Sequence, residues 1–157
     1  MYDYSFKDEH FDDVVAVLVA SAYFEALLWI GLQVCGFKPS PGKKSMPLSQ
    51  LICKAKEIGL LNDDLINLLK KLNELRNDMA HDVDYILRSE DVDGLETLLP
   101  QPKKRRVQAI LRNMPDYTAA SKLRVVLMEI EALMLGWFEE ITELTRSRIT
   151  ERNVGQS

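Results

Sequence analysis

From Leu123 onward the apolar residues fall at Leu123, Leu127, Ile130, Met134, Trp137, Ile141 and Leu144, in alternating steps of four and three. Such steps hold a stripe on one side of an α-helix and conflict with the period of two that a half-buried strand needs. The chain is therefore committed to one long helix, expected from about Asp116 to Arg148, and to something that covers its seam. Three heptads suffice for long antiparallel packing inside one chain or for a helical contact between two chains. An intramolecular bundle seam is the simpler of these readings.

The first part of the chain supplies a second long helix, expected from about Lys7 to Val34. Its predicted inward stripe is Phe11, Val14/Val15, Leu18, Ala22, Glu25, Leu28/Trp29 and Leu32. The stretch from Val14 to Val34 is strongly apolar but carries Ser21, Glu25 and Gln33, and its flanks lack basic anchors. It therefore reads as a buried helix and not as a membrane span. Gly36 to Gly42 forms a turn-rich loop. A short helix is expected from Pro47 to Ile58 with Gly59 as its C-terminal cap, and Asn62 caps the next helix ahead of Asp63 and Asp64. Residues 82–102 are less regular, with one or two turns around Asp91–Leu98. Lys103 to Met114 reads as another short helix stopped by Pro115, and 150–157 as a flexible tail. The expected fold is all-α: one domain over 1–149, a helical bundle with long first and last helices and short helices between.

At 157 residues the chain is long enough to bury a sizeable core. A formal net charge of −4 argues against a protein that coats DNA nonspecifically, while leaving room for a local basic site. Cys35 and Cys53 sit among apolar neighbours without a CxxC or Cys/His grouping, so they read as small core residues of a reducing compartment. The polar, acidic start Met1-Tyr2-Asp3-Tyr4 is unlike a secretory leader, and a cytoplasmic protein is expected. No Gly-rich phosphate loop, HExxH pair, nucleophile elbow or carboxylate cluster is present, so no metal site and no cofactor are expected.

Chemistry is concentrated in one place. Along 62–80 the inward positions are Leu65, Leu69, Leu72, Arg76 and Met79, which puts a guanidinium on an apolar stripe. An unpaired buried charge is costly, so Arg76 needs a partner or a task. His81, one of only two histidines, follows five residues later. On an ideal helix the two are about 140° apart, whereas Asn77 and His81, four residues apart, share a face. Glu25, the one charge on the first apolar stripe, is the expected ion-pair partner of Arg76. That pair either aims the guanidinium at an incoming phosphate or simply fixes helix register. A lone histidine at a helix C-terminus also gains from the helix dipole without any further role.

These residues resemble the HEPN superfamily, whose hallmark is Arg-x(4–6)-His with a polar residue after the arginine: here Arg76, Asn77 and His81. Ala20-Ser21-Ala22-Tyr23-Phe24-Glu25-Ala26-Leu27-Leu28 is similar to the glutamate-bearing first helix of several HEPN groups. Lys56-Glu57-Ile58-Gly59-Leu60-Leu61 and the helix after it resemble the family's passage into the motif. Within the clan the layout is most similar to mannitol operon repressor-like proteins and to uncharacterised HEPN relatives. It departs from the toxin group that pairs with a nucleotidyltransferase, which carries His-x-Tyr; here Asp82 and Val83 follow the histidine and the nearest tyrosine is Tyr85. The resemblance implies a bundle that dimerises and joins two motifs in a cleft. It implies either a metal-independent ribonuclease, often a toxin or phage-defence effector, or a non-catalytic regulator.

RNA carries its own nucleophile, so cleavage needs only proton transfer and charge stabilisation. His81 would move the proton of the 2′-hydroxyl or of the leaving oxygen, Arg76 would clamp the phosphate, and Asn77 would orient either group. Lys103, Lys104, Arg105 and Arg106, with Arg112, form the one local basic run, read either as a phosphate track or as a solvated helix face. Asp82 and Asp84 would repel phosphates. Three readings stand: a ribonuclease acting on RNA; a regulator working through a partner protein or operator DNA, with no helix-turn-helix signature to favour DNA; and a scaffold whose charged pair is structural. The expected partners are a second copy of the chain, plus RNA, DNA or an antitoxin or regulatory protein, and no membrane.

Overall fold

A computed structural model describes residues 5–82 and 84–154 and is helical throughout its regular elements: α1 (Ser5–Val34), α2 (Leu48–Glu57), α3 (Asp63–His81), α4 (Ser89–Leu98), α5 (Gln101–Arg112) and α6 (Ala119–Val154). The expected all-α architecture, with long first and last helices and short ones between, is what the chain adopts. α1 packs on α2, α3 and α6; α3 also touches α2 and α4, and α6 collects α4 and α5.

Local chemistry fixes most element ends. Asn62 Oδ1 accepts the Leu65 N–H at 2.9 Å and opens α3, with Asp63 and Asp64 in the first turn. Gly59 takes φ +66° after α2, and the Leu60 N–H reaches back to the Ala55 carbonyl at 2.8 Å. This left-handed cap is the one the sequence predicts. α4 is a full helix, closed at its start by the Arg88 N–H donating to Asp91 Oδ2 at 2.9 Å. α5 begins at Gln101 because Pro102 is tolerated in a first turn, where its missing N–H has no intrahelical partner to lose. Thr118 Oγ1 accepts the Ser121 N–H at 3.2 Å and starts α6 later than the expected Asp116, which sits at φ 63°. At the other end α6 continues to Val154, past the expected tail boundary, while 155–157 lie outside the described residues.

Four packing expectations need correction. The buried face of α1 is Val17, Ser21, Phe24, Leu28 and Leu32, whereas Val15, Leu18 and Ala22 of the predicted stripe are exposed; the Phe11 side chain lies outside the described residues. Every side of this helix is apolar, so periodicity cannot choose among faces. The α6 seam is buried from Leu123 to Ile141, but Leu144 stands 53% exposed, on the wall of an open cavity that it shares with Cys35, Phe37 and Leu60. α1 and α6 run parallel, not antiparallel: Asp12 lies by Arg124, and Gly31 lies by Trp137 and Ile141. Cys35 and Cys53 are both exposed, not core residues.

At Gly31 these two long helices approach closely. A Cβ there would meet the Trp137 ring at 2.6 Å and the Ile141 Cδ1 at 2.8 Å. The indole is anchored as well, donating from Nε1 to the Leu60 carbonyl at 2.9 Å.

Candidate functional site

α3 carries the motif and ends on it. Its inward residues Leu65, Leu69, Leu72 and Met79 are buried as the spacing predicts. Arg76 is only half-buried, unlike the apolar residues of the same stripe. Arg76 Nη1 donates to Asn77 Oδ1 at 3.5 Å, a long contact. His81 is the last residue of α3 and is exposed, and the Asp82 N–H caps the helix on the Asp78 carbonyl. The structure thus brings Arg76 and Asn77 together, while His81 stands at the helix terminus five residues beyond the arginine. None of the three lines the cavities of about 290, 430 and 570 Å³, which border α6.

Glu25 does not pair with Arg76. Its Oε1 accepts the Leu48 N–H at 3.1 Å, so the carboxylate caps the start of α2 from across the bundle. The reason is local. Pro47 stands at the N-cap position and has no side-chain acceptor, leaving the first N–H groups of α2 without a partner of their own. A carboxylate placed there meets both the orphan donor and the positive end of the helix dipole. Among the described residues no carboxylate lies within ion-pair distance of Arg76.

The basic run divides in two. Lys103 Nζ lies 2.8 Å from Glu129 Oε2, and Arg106 Nε lies 3.0 Å from Glu129 Oε1. Glu129 is 3% exposed on α6, so these two cations serve to fasten α5 to α6. Among the described residues Lys104, Arg105 and Arg112 carry no such ion pair, and Arg105 and Arg112 are exposed. Glu129 is the residue that sequence reasoning passed over. The signal was present: it interrupts the apolar run Val125-Val126-Leu127-Met128 before Ile130, as Glu25 and Arg76 interrupt theirs.

Acidic groups surround the end of α3. Asp82 and Asp84 are exposed, and the Asp84 N–H donates to Asp82 Oδ1 at 3.0 Å. Tyr85 is buried next to them. Burial raises its phenol well above the usual range, its hydrogen bond to Asp91 raises it further, and the charges of Asp91 and Asp78 add to that. Comparison of the chain with known protein families, with curated proteins and with solved structures finds no match.

Proposed function

We propose that this chain is a HEPN-type, metal-independent endoribonuclease of the toxin or phage-defence kind. The observation that carries the reading is Arg76: a half-buried guanidinium without a carboxylate partner among the described residues, steadied by Asn77, on the helix that ends in an exposed imidazole. A cation left without a counter-ion at the edge of a core is suited to receive a phosphate.

In this reading the RNA 2′-hydroxyl attacks the adjacent phosphorus while His81 takes its proton. The bond to the 5′-oxygen breaks, and that oxygen is protonated by a second acid, supplied by His81 of a second copy of the chain. Arg76 stabilises the added negative charge on the phosphoryl oxygens. The products are a 2′,3′-cyclic phosphate and a 5′-hydroxyl. Lys104, Arg105 and Arg112 would contact the backbone on either side. The test is incubation of purified protein with RNA in EDTA. Cleavage to these termini is expected, and His81→Ala should abolish it while circular dichroism stays unchanged. Intact RNA with the wild-type chain under all conditions rules the reading out.

A second reading has its own support. Asp78, Asp82 and Asp84 crowd the histidine with negative charge, and Lys103 and Arg106 are committed to Glu129. That charge balance suits a non-catalytic regulator of the mannitol operon repressor kind, working through a protein partner more than through DNA. Absence of cleavage together with specific capture of one protein or one operator would favour it.

A further inference from the structure

The outward face of α1 is as apolar as its inward one. Val15, Val19, Ala22, Tyr23, Ala26 and Ile30 are all exposed, and from Val14 to Val34 the helix carries no charge but Glu25, which is turned to α2. Within Asp12–Val34 the sequence is strongly apolar, yet only a third of its most apolar stretch is buried. By length and composition this helix could cross a bilayer. Its inner face, however, is built into the core against α2, α3 and α6, so only the outer face is available to anything else. A helix apolar on all sides is normally covered on all sides.

Beside this face, α1 and α6 enclose an apolar groove of about 430 Å³, floored by Ala20, Phe24 and Leu127. Its α6 wall has a particular order. Ala120, Arg124, Leu127, Met128, Glu131 and Leu135 fall within one sector of about 100° on the helix. A two-fold axis passing between Leu127 and Met128 would set two α6 helices antiparallel. It would place Arg124 against the partner's Glu131, Met128 against the partner's Leu127, and Leu135 against the partner's Ala120. Each charge then meets its opposite, and the large exposed side chains meet smaller or buried ones. The only intramolecular ion pair of Arg124 among the described residues is with Asp12 at 4.0 Å, both side chains well exposed, so the guanidinium is available.

We propose that the α1/α6 face is a homodimer interface whose register is set by reciprocal Arg124–Glu131 pairs, with Val19, Tyr23 and Met128 at its apolar centre. Self-complementary charge is what a two-fold contact requires, because the same patch must face itself. A bilayer surface suits it less: Asp12 and Glu131 border the patch, Arg124 is the one cation lining the groove among the described residues, and the whole chain is acidic. This inference does not rest on the ribonuclease reading and survives its failure: none of Arg76, Asn77 and His81 lines the groove, so a contact that brings two copies of the motif together would be a different one.

Sedimentation equilibrium of the full chain at micromolar concentration should give a dimer. Arg124→Glu and Glu131→Arg should each weaken it roughly tenfold or more through like-charge contacts, and the double exchange R124E/E131R should restore it. Met128→Lys, also at an exposed position, should dissociate it while far-ultraviolet circular dichroism shows the helices intact. A chain that stays monomeric overturns the proposal. So does a dimer indifferent to all four variants, or one the double exchange fails to restore. Flotation with phosphatidylcholine or phosphatidylserine vesicles would assign the face to a membrane surface instead.

Discussion

Arg76, Glu25 and Glu129 each interrupt an apolar helix face, and each resolves the conflict differently. Glu25 caps a neighbouring helix, Glu129 is clasped by Lys103 and Arg106, and Arg76 stays half-buried against Asn77. The type of residue signals that a buried or half-buried charge needs a partner; which partner it finds depends on what the bundle brings near. Glu129→Ala should therefore destabilise the fold by about 1–3 kcal/mol, less than a fully buried pair would cost because Arg106 is largely exposed. Urea denaturation measures this, and an unchanged midpoint would show that α5 is held by apolar contacts alone. Arg76→Ala separates roles of another kind. If the guanidinium serves phosphate binding, stability should change little while RNA cleavage is lost.

At the scale of elements, two contacts set how the helices meet. Gly31 allows α1 and α6 to approach closely at Trp137 and Ile141. Gly31→Ala should cost about 1–3 kcal/mol through overpacking, read as a lowered thermal midpoint, since a ring anchored to the Leu60 carbonyl has little room to yield. An alanine tolerated there would mean that the helices separate easily. The cap that Glu25 gives α2 should contribute about 1 kcal/mol, lost in Glu25→Ala and largely kept in Glu25→Gln, which still offers an acceptor oxygen. Equal losses in the two variants would instead assign the effect to charge.

For the whole molecule, three groups link stability to alkaline pH: Cys35, whose thiol is raised above its ordinary 9.0 by partial burial, and, from higher pH, Tyr85 and Lys122. Tyr85 is held protonated above its ordinary 10.0 by burial, then by Asp91 and Asp78. For Lys122 burial is the strongest single influence and lowers its pKa from 10.5, but hydrogen bonds to Asp93 and Glu96 and their charges together outweigh it and raise the net value. All three folded values lie above the unfolded ones. All three contributions are therefore complete below the unfolded pKa and are lost as pH climbs through the folded ones, so stability should fall from about pH 9 upward. Denaturant midpoints should be level from neutrality to about pH 9 and then decline, more steeply above about pH 10, with Tyr85→Phe declining less steeply there. A midpoint that stays flat well above pH 10 contradicts this.

The sequence by itself determined the helical class, the caps at Gly59 and Asn62 and the buried leucines and Met79 of the α3 stripe, because capping and period are local properties carried by neighbouring residues. Gly59 and Asn62 act as their positions predict, and Leu65, Leu69, Leu72 and Met79 are buried where spacing places them. The motif itself was legible as a string, Arg76 to His81, since all of it lies on one helix. Only the tertiary structure decided which face of α1 turns inward, which way α1 runs against α6, and where Glu25 and Glu129 discharge their charge. The physical reason is common to these cases: an apolar helix has no local preference among its faces, and a carboxylate binds whichever donor the packing brings within about 3 Å.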